Sequence, residues 1–254
     1  MGLGRFFKGN LAHRLRTKVL PNVGYLLTRT QIRRCGCCDQ VAIFPQFGSE
    51  SVLQLCSKCG ASFRYEMLGR HIRGRGSLSD SVVLELDPGS ALVRLLSQAK
   101  THIRTYFRPD DAPGSTRADG VVMQDITRLT YDDNSLDMIV SSDVLEHVPD
   151  IRRAFQESAR TLKPGGVHIF TIPRETETRQ LAELRDGQVH HLVDPPEYHS
   201  DPLDRRGILA FWHFGPDLQA QFGDTGLEFE RFEMHDGPDR MAYVWEGRKP
   251  ARAG

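Results

Sequence analysis

Residues 81–96 read SVVLELDPGSALVRLL, an apolar strand-like run that breaks at Asp87-Pro88-Gly89 and passes straight into a helix-like stretch. A strand meeting a helix through such a turn is half of a parallel α/β unit, and ligands gather at junctions of this kind. Outward from it, apolar runs and turn signals alternate. They predict strands near 81–86, 102–107, 120–124, 137–142 and 166–172, with helices near 90–99, 150–162 and 215–223. Strands near 227–234 and 240–246 flank HDGPD, whose composition suits the turn of an antiparallel pair. RPDDAPGSTRAD (108–119) is too short and too rich in Pro, Gly and Asp for a crossover helix and reads as a loop.

The rest of the 254-residue chain differs in character. Residues 1–80 hold 13 Lys and Arg against four acids, net +9, and the remainder carries −9. This asymmetry predicts two units, the first suited to an anionic surface. Leu3, Phe7, Leu11, Leu15 and Val19 recur at a spacing of four until Pro21, predicting a cationic amphipathic helix. Its partner would be a membrane surface, the rest of the chain or another protein. No apolar run approaches the ~18 residues of a membrane span, and charges interrupt the N-terminus where a secretory signal would be apolar. A cytoplasmic protein is expected.

All five cysteines lie between 35 and 59. Cys35, Cys38, Cys56 and Cys59 form C-x2-C-x17-C-x2-C, the spacing of a closed, structural four-thiolate zinc site. Gly36 and Gly60 would let the two knuckles turn, and Cys37 is a spare thiol able to replace Cys35 or Cys38. RGRGSLSD (73–80) reads as a linker.

SVVLELDPGSALVRLL, VVMQDITRLTYDDNSLDMIVSSDVLEHVPD and RTLKPGGVHIFTIP occur in this order, and together they resemble class I S-adenosylmethionine-dependent methyltransferases of the type 11 group. The resemblance implies a Rossmann-like α/β sheet, mostly parallel with the last strand antiparallel, binding S-adenosylmethionine. It implies that Glu85, Asp87 and Gly89 close the first strand around the cofactor's amino-acid part, with Ser90 at the helix N-terminus favouring the carboxylate. It also implies that Asp125 accepts from the adenine amino group, that Ile126 lies against the ring, and that Ser141 and Ser142 lie beneath the methyl-sulfonium. Two positions depart from the pattern. Asp87 stands where glycine is usual, and aspartate tolerates left-handed backbone angles. The second strand ends IRTYFRPDD, with Thr105 and Tyr106 where an acid would hold the ribose; Thr105, water, or Asp110 or Asp111 folding back would replace it.

Methyl transfer to a hydroxyl or protonated amine needs a base. His147 in DVLEHVPD is one candidate, with packing as its other role. His199 in VHHLVDPPEYHSDP (189–202) is the second, within a Pro-rich polar loop that also holds His190, His191, Asp194, Tyr198 and Asp201. Acceptor recognition, a second metal site or a plain solvated loop are all compatible with it. The expected organisation is a basic amphipathic segment (1–30), a zinc-ribbon-like module (31–76) and a methyltransferase domain (77–250) with an insertion at 173–213. The expected function is methylation at O or N of a small-molecule or saccharide-type acceptor. The alternatives are an RNA methyltransferase whose ribbon grips nucleic acid, and a non-catalytic scaffold with a degenerate cofactor site.

Overall fold

The computed structural model describes residues 23–46, 54–199, 207–235 and 241–251. The expected helix over residues 1–20 and most of the HDGPD turn lie outside them. The chain divides into two compact units: the described parts of 1–78 with 89–98 and 234–242, and of 79–88 with 99–233 and 243–254.

The first unit opens with helix α1 (Val23–Arg29) and the antiparallel pair β1 (Gln31–Arg34) and β2 (Val41–Phe44), in register from Gln31↔Phe44 to Arg34↔Val41. Helix α2 (Phe63–Gly74) follows. It was not expected, and it takes in the first residues of the proposed linker. Its buried Met67, Leu68 and Ile72 recur at helical spacing. Arg33 grips the buried Glu66 carboxylate through two contacts of 2.5 Å. Burial pushes Glu66 upward and the Arg33 guanidinium opposes it. The only regular helix in 90–99 is the single turn α3 (Val93–Leu96), preceded by the Ser90 hydroxyl accepting from the Leu92 N–H at 2.9 Å.

In the second unit, β3 (Val82–Glu85), β4 (Thr101–Tyr106), β5 (Val122–Met123), β6 (Leu136–Ser142) and β7 (Leu162–Thr171) pair in parallel. Helix α4 (Ile151–Thr161) precedes β7, its first turn capped by the Asp150 carboxylate on the Arg153 N–H. Ile151, Ala154, Phe155, Ser158 and Ala159 form its buried face. The 173–213 insertion is not a plain loop. It folds as short antiparallel pairs: β8 (Arg179–Gln180) with β13 (Trp212–His213), β9 (Ala182–Arg185) with β10 (Gln188–His191), and β11 (Tyr198–His199) with β12 (Ile208–Leu209). Asp186 and Gly187, at φ 52° and 75°, make the tight turn between β9 and β10. After α5 (Leu218–Phe222) come β14 (Glu228–His235) and β15 (Met241–Arg248), and the sheet order is β14-β15-β7-β6-β3-β4-β5. β15 runs antiparallel to β7. Phe155 packs 4.7 Å from Phe229 and 5.5 Å from Phe222 between ring centroids, joining α4, α5 and β14 in one core.

Within that core, His168 of β7 is fully buried between the hydroxyls of Ser141 (3.0 Å) and Ser158 (3.2 Å). Burial pushes its pKa down to about 3. The unfolded chain takes up this proton below the ordinary histidine value of ~6.5, and the folded chain does so only near the lowered value. Stability therefore falls as pH drops through that window, by about 1 kcal/mol per pH unit from this group. Urea unfolding at pH 7 and pH 5.5 should show this loss in the wild type, and His168→Gln should flatten it.

Candidate functional site

The strand order reverses direction around β3, which lies between β4 and β6. In such a sheet the loops leaving the carboxyl ends of adjacent strands part and leave a crevice. A cavity of about 530 Å³ occupies this place, within the range of small-molecule sites. Leu86 lines it from the end of β3, and Tyr106 and Phe107 from the end of β4. Asp125 and Ile126 line it from beyond β5, and Val144 and His147 from beyond β6. Leu184 and Phe211 add apolar surface from the insertion.

Tyr106, Asp125, Ile126 and His147 are thus brought together, whereas several other expected residues are not. The Glu85 carboxylate turns sideways to His102 on β4 at 2.8 Å, and both side chains are buried. The Ser141 hydroxyl bonds His168, and the Ser142 hydroxyl lies 2.9 Å from that of Thr171. These three side chains hold strands together behind the cavity wall, because buried polar groups on a central sheet must be satisfied across it. Asp87 is half-buried and is not in the wall; Gly89 and Ser90 belong to the first unit. Neither Asp87 nor Gly89 adopts a left-handed φ, so this turn places no conformational demand for glycine at 87. Asp143, immediately after β6, does adopt a left-handed φ, of 50°. Thr171 pins it twice, the Asp143 N–H donating to the Thr171 carbonyl and the Thr171 hydroxyl to Asp143 Oδ1, each at 3.0 Å.

At the end of β4, the Thr105 hydroxyl donates to the Glu85 carbonyl at 2.9 Å and is buried, which leaves it poorly placed to hold a ribose. Asp111 folds back, as one of the two expected acids, and accepts from the Tyr106 hydroxyl at 2.7 Å. That bond raises the Tyr106 pKa. Asp125 spends Oδ1 on the Thr127 N–H (2.9 Å) and hydroxyl (2.7 Å), which fixes the turn after β5.

His147 sits in the short 3-10 turn Leu145–His147. The insertion clamps this turn: the Phe211 N–H donates to the Glu146 carbonyl (2.7 Å), Trp212 Nε1–H to the Pro149 carbonyl (3.1 Å), and His147 Nδ1–H to the Leu209 carbonyl (2.8 Å). The same clamp brings His199 beside His147, with ring centroids 5.0 Å apart. Glu197 joins His199 (3.0 Å) to His213 (2.8 Å). Burial would raise the Glu197 pKa, and these two imidazoles outweigh it and hold it low. Sequence reasoning missed Glu146, Glu197 and His213. The Glu146-His147 adjacency was visible, but nothing local signalled the other two.

In the first unit, one sulfur each from Cys35, Cys38, Cys56 and Cys59 lies within 4.8 Å of the others. The Cys35–Cys59 and Cys38–Cys56 separations are 3.6 and 3.9 Å. Four sulfurs ~2.3 Å from a common tetrahedral centre would stand about 3.8 Å apart. Hydrogen bonds from Cys37, Cys56 and Cys59 hold Cys35 far below its ordinary pKa, and Cys56, donating to Cys35, is pushed up to about 11. Cys37 is not one of these four, and its sulfur lies 3.0 Å from the Tyr65 carbonyl oxygen. Arg73 braces the first knuckle, donating to the Gly36 (2.8 Å) and Cys37 (2.9 Å) carbonyls.

Residues 82–170 match the methyltransferase domain family. Over 113 residues the chain is 40% identical to the sarcosine/dimethylglycine N-methyltransferase of Halorhodospira halochloris, a match covering 41% of this chain and 39% of that protein. The chain thus matches about two fifths of that relative's length. Among solved structures, a chain from the complex of the Haloferax volcanii Trm112 methyltransferase activator with a methyltransferase aligns over 75% of this chain and 92% of its own, at 18% identity and a TM-score of 0.47. An S-adenosylmethionine-dependent methyltransferase from Mesorhizobium loti aligns over 72% and 97%, at 14% identity and a TM-score of 0.46. The family match takes in residues 82–88 and 99–170 of the second unit and residues 89–98 of the first.

Gly36 shows how tightly the first knuckle is packed. A Cβ there would collide with the Glu66 carbonyl oxygen and stand 2.8 Å from Arg70 Cγ. Gly36→Ala should destabilise the protein by about 1–3 kcal/mol, read from urea unfolding.

Proposed function

We propose that this chain is an S-adenosylmethionine-dependent methyltransferase acting on O or N of a small-molecule acceptor, with a structural zinc ion on Cys35, Cys38, Cys56 and Cys59. The cavity at the carboxyl ends of β3, β4 and β5 carries this assignment, since Tyr106, Asp125 and Ile126 meet there with His147 on the same wall. The cofactor brings its own activated methyl group, so the protein's part is to bind, align and exclude water. Asp125 supplies an acceptor for the adenine amino group, and Ile126 an apolar surface for its ring. Tyr106, oriented by Asp111, takes the place of the missing second-strand acid. Asp87 follows β3 on the amino-acid side. Glu85, Ser141 and Ser142 support the wall from behind through His102, His168 and Thr171. The apolar Phe211 and Leu184 narrow the cavity, which suits a small acceptor. The named acceptors of the Halorhodospira relative, small methylated amines, support N as the receiving atom. His147 and His199 are assigned to the acceptor side.

An RNA acceptor is less well supported. Arg33 and Arg73, two of the basic side chains of the first 80 residues, are spent on Glu66 and on the knuckle carbonyls. Among the described residues no helix is long and apolar enough to cross a membrane.

Calorimetric titration with S-adenosylhomocysteine should show saturable binding that Asp125→Ala weakens by about tenfold, the cost of one hydrogen bond to a buried polar group. A wild type that does not bind would overturn the assignment. His199→Ala should lower turnover and leave that affinity unchanged. For the cysteine site, Cys37→Ala should retain the zinc content of the wild type, and Cys38→Ala should lose one ion and unfold at lower urea.

A further inference from the structure

The acceptor-side histidines share an arrangement that methyl transfer alone does not require. Glu146, His147 and His199 bring one carboxylate oxygen and two ring nitrogens within 4.8 Å of one another. His147 Nε2 and His199 Nδ1 each lie 3.8 Å from Glu146 Oε1. That separation is too long for a hydrogen bond. It is only a few tenths of an ångström beyond the ~3.4 Å between two ligands bound at ~2.1 Å to a common tetrahedral ion.

The tautomer of each neutral ring follows from its other nitrogen. His147 Nδ1 is 2.8 Å from the Leu209 carbonyl oxygen, which can only accept, so Nδ1 carries a hydrogen and in the neutral ring the lone pair is on Nε2. His199 Nε2 donates to Glu197 Oε1 at 3.0 Å, so in the neutral ring the lone pair is on Nδ1. Glu197 is held in turn by His213 at 2.8 Å. Two imidazole lone pairs and a carboxylate thus converge, each ring braced at its far side by a carbonyl or a carboxylate. Metal-ligating histidines are oriented in this way. Glu146 is only 1% exposed, so its carboxylate would be favoured by a cation beside it, whereas His199 is 27% exposed and leaves a path for an ion.

We propose that Glu146 Oε1, His147 Nε2 and His199 Nδ1 form a second metal site, separate from the cysteines, for a borderline divalent transition-metal ion such as zinc. Two imidazoles and one carboxylate are a donor set suited to such ions, and three protein ligands leave coordination positions open. His147 also lines the cavity, so the open side is within reach of a molecule bound there. The ion's role rests on the methyl-transfer assignment: an acceptor hydroxyl bound to it would lose its proton more readily, its oxygen keeping a lone pair for the methyl group. The site itself does not depend on that assignment.

Cobalt(II) separates the two sites, because thiolate ligands give an intense charge-transfer absorption and nitrogen and oxygen ligands give only weak visible bands. The full-length, chelator-stripped wild type should bind two equivalents, one with the charge-transfer band and one without. His199→Ala, at a partly exposed position and checked for folding by circular dichroism, should bind one equivalent and keep the full charge-transfer band. Glu197→Gln should bind both, the second roughly 10- to 100-fold more weakly. A wild type that saturates at one thiolate-type equivalent would sink the proposal, as would a His199→Ala variant that keeps the second equivalent at wild-type affinity. Titration of the same samples with S-adenosylhomocysteine reports on the methyl-transfer assignment alone, so either can fail without the other.

Discussion

The position of β3 between β4 and β6 is the constraint on which the second unit depends. Parallel pairing on both edges, Val82↔Thr101 through Glu85↔Arg104 on one side and Val83↔Met138 through Glu85↔Val140 on the other, forces the chain to leave in opposite directions from one point. The cavity is the gap that results, and its wall consists of the residues that happen to follow each strand. Parallel strands cannot be joined by tight turns, so every connection is long enough to carry such residues.

The same pairing explains why polar side chains sit deep in the sheet. Glu85 with His102, Ser141 and Ser158 with His168, and Thr105 with the Glu85 carbonyl bridge neighbouring elements. Each group would cost several kcal/mol if buried alone, and each is satisfied only when the strands are in register. Polar residues that resemble ligand contacts in the linear chain are therefore divided between two tasks, and the facing of each strand residue decides which. Tyr106 and the turn residues Asp125 and Ile126 reach the cavity, whereas Glu85 and the two serines serve the sheet.

The insertion works by a different principle. Its strands are two to four residues long and would be marginal alone. They are held to the segment after β6 by one backbone–backbone bond, Phe211 to Glu146, and by the His147 and Trp212 side chains donating to the Leu209 and Pro149 carbonyls. That clamp carries His199 and Glu197 to Glu146 and His147, some 50 residues away in the chain. The first unit shows similar economy: Arg33 and Arg73, charged residues in a basic segment, act as internal struts on Glu66 and the first knuckle.

By itself the sequence determined the alternation of strands and helices in the second unit, the antiparallel end of the sheet and the pairing of cysteines into two knuckles, because these rest on local periodicity and fixed spacing. It also carried the Asp186-Gly187 turn, a plain hairpin signal that the Pro-rich surroundings obscured. The shortening of 90–99 to one regular helical turn, the length of α2 and the contact of Cys37 with the Tyr65 carbonyl were not legible, since tertiary contacts override weak local preferences. Only the tertiary structure decided which polar residues face the cavity and which cross-link the sheet, and only it assembled Glu146, His147, His199, Glu197 and His213. The physical reason is that a side chain's partner is set by the register and clamping of segments far apart in the chain, and neither the spacing nor the chemistry of a local motif encodes that distance.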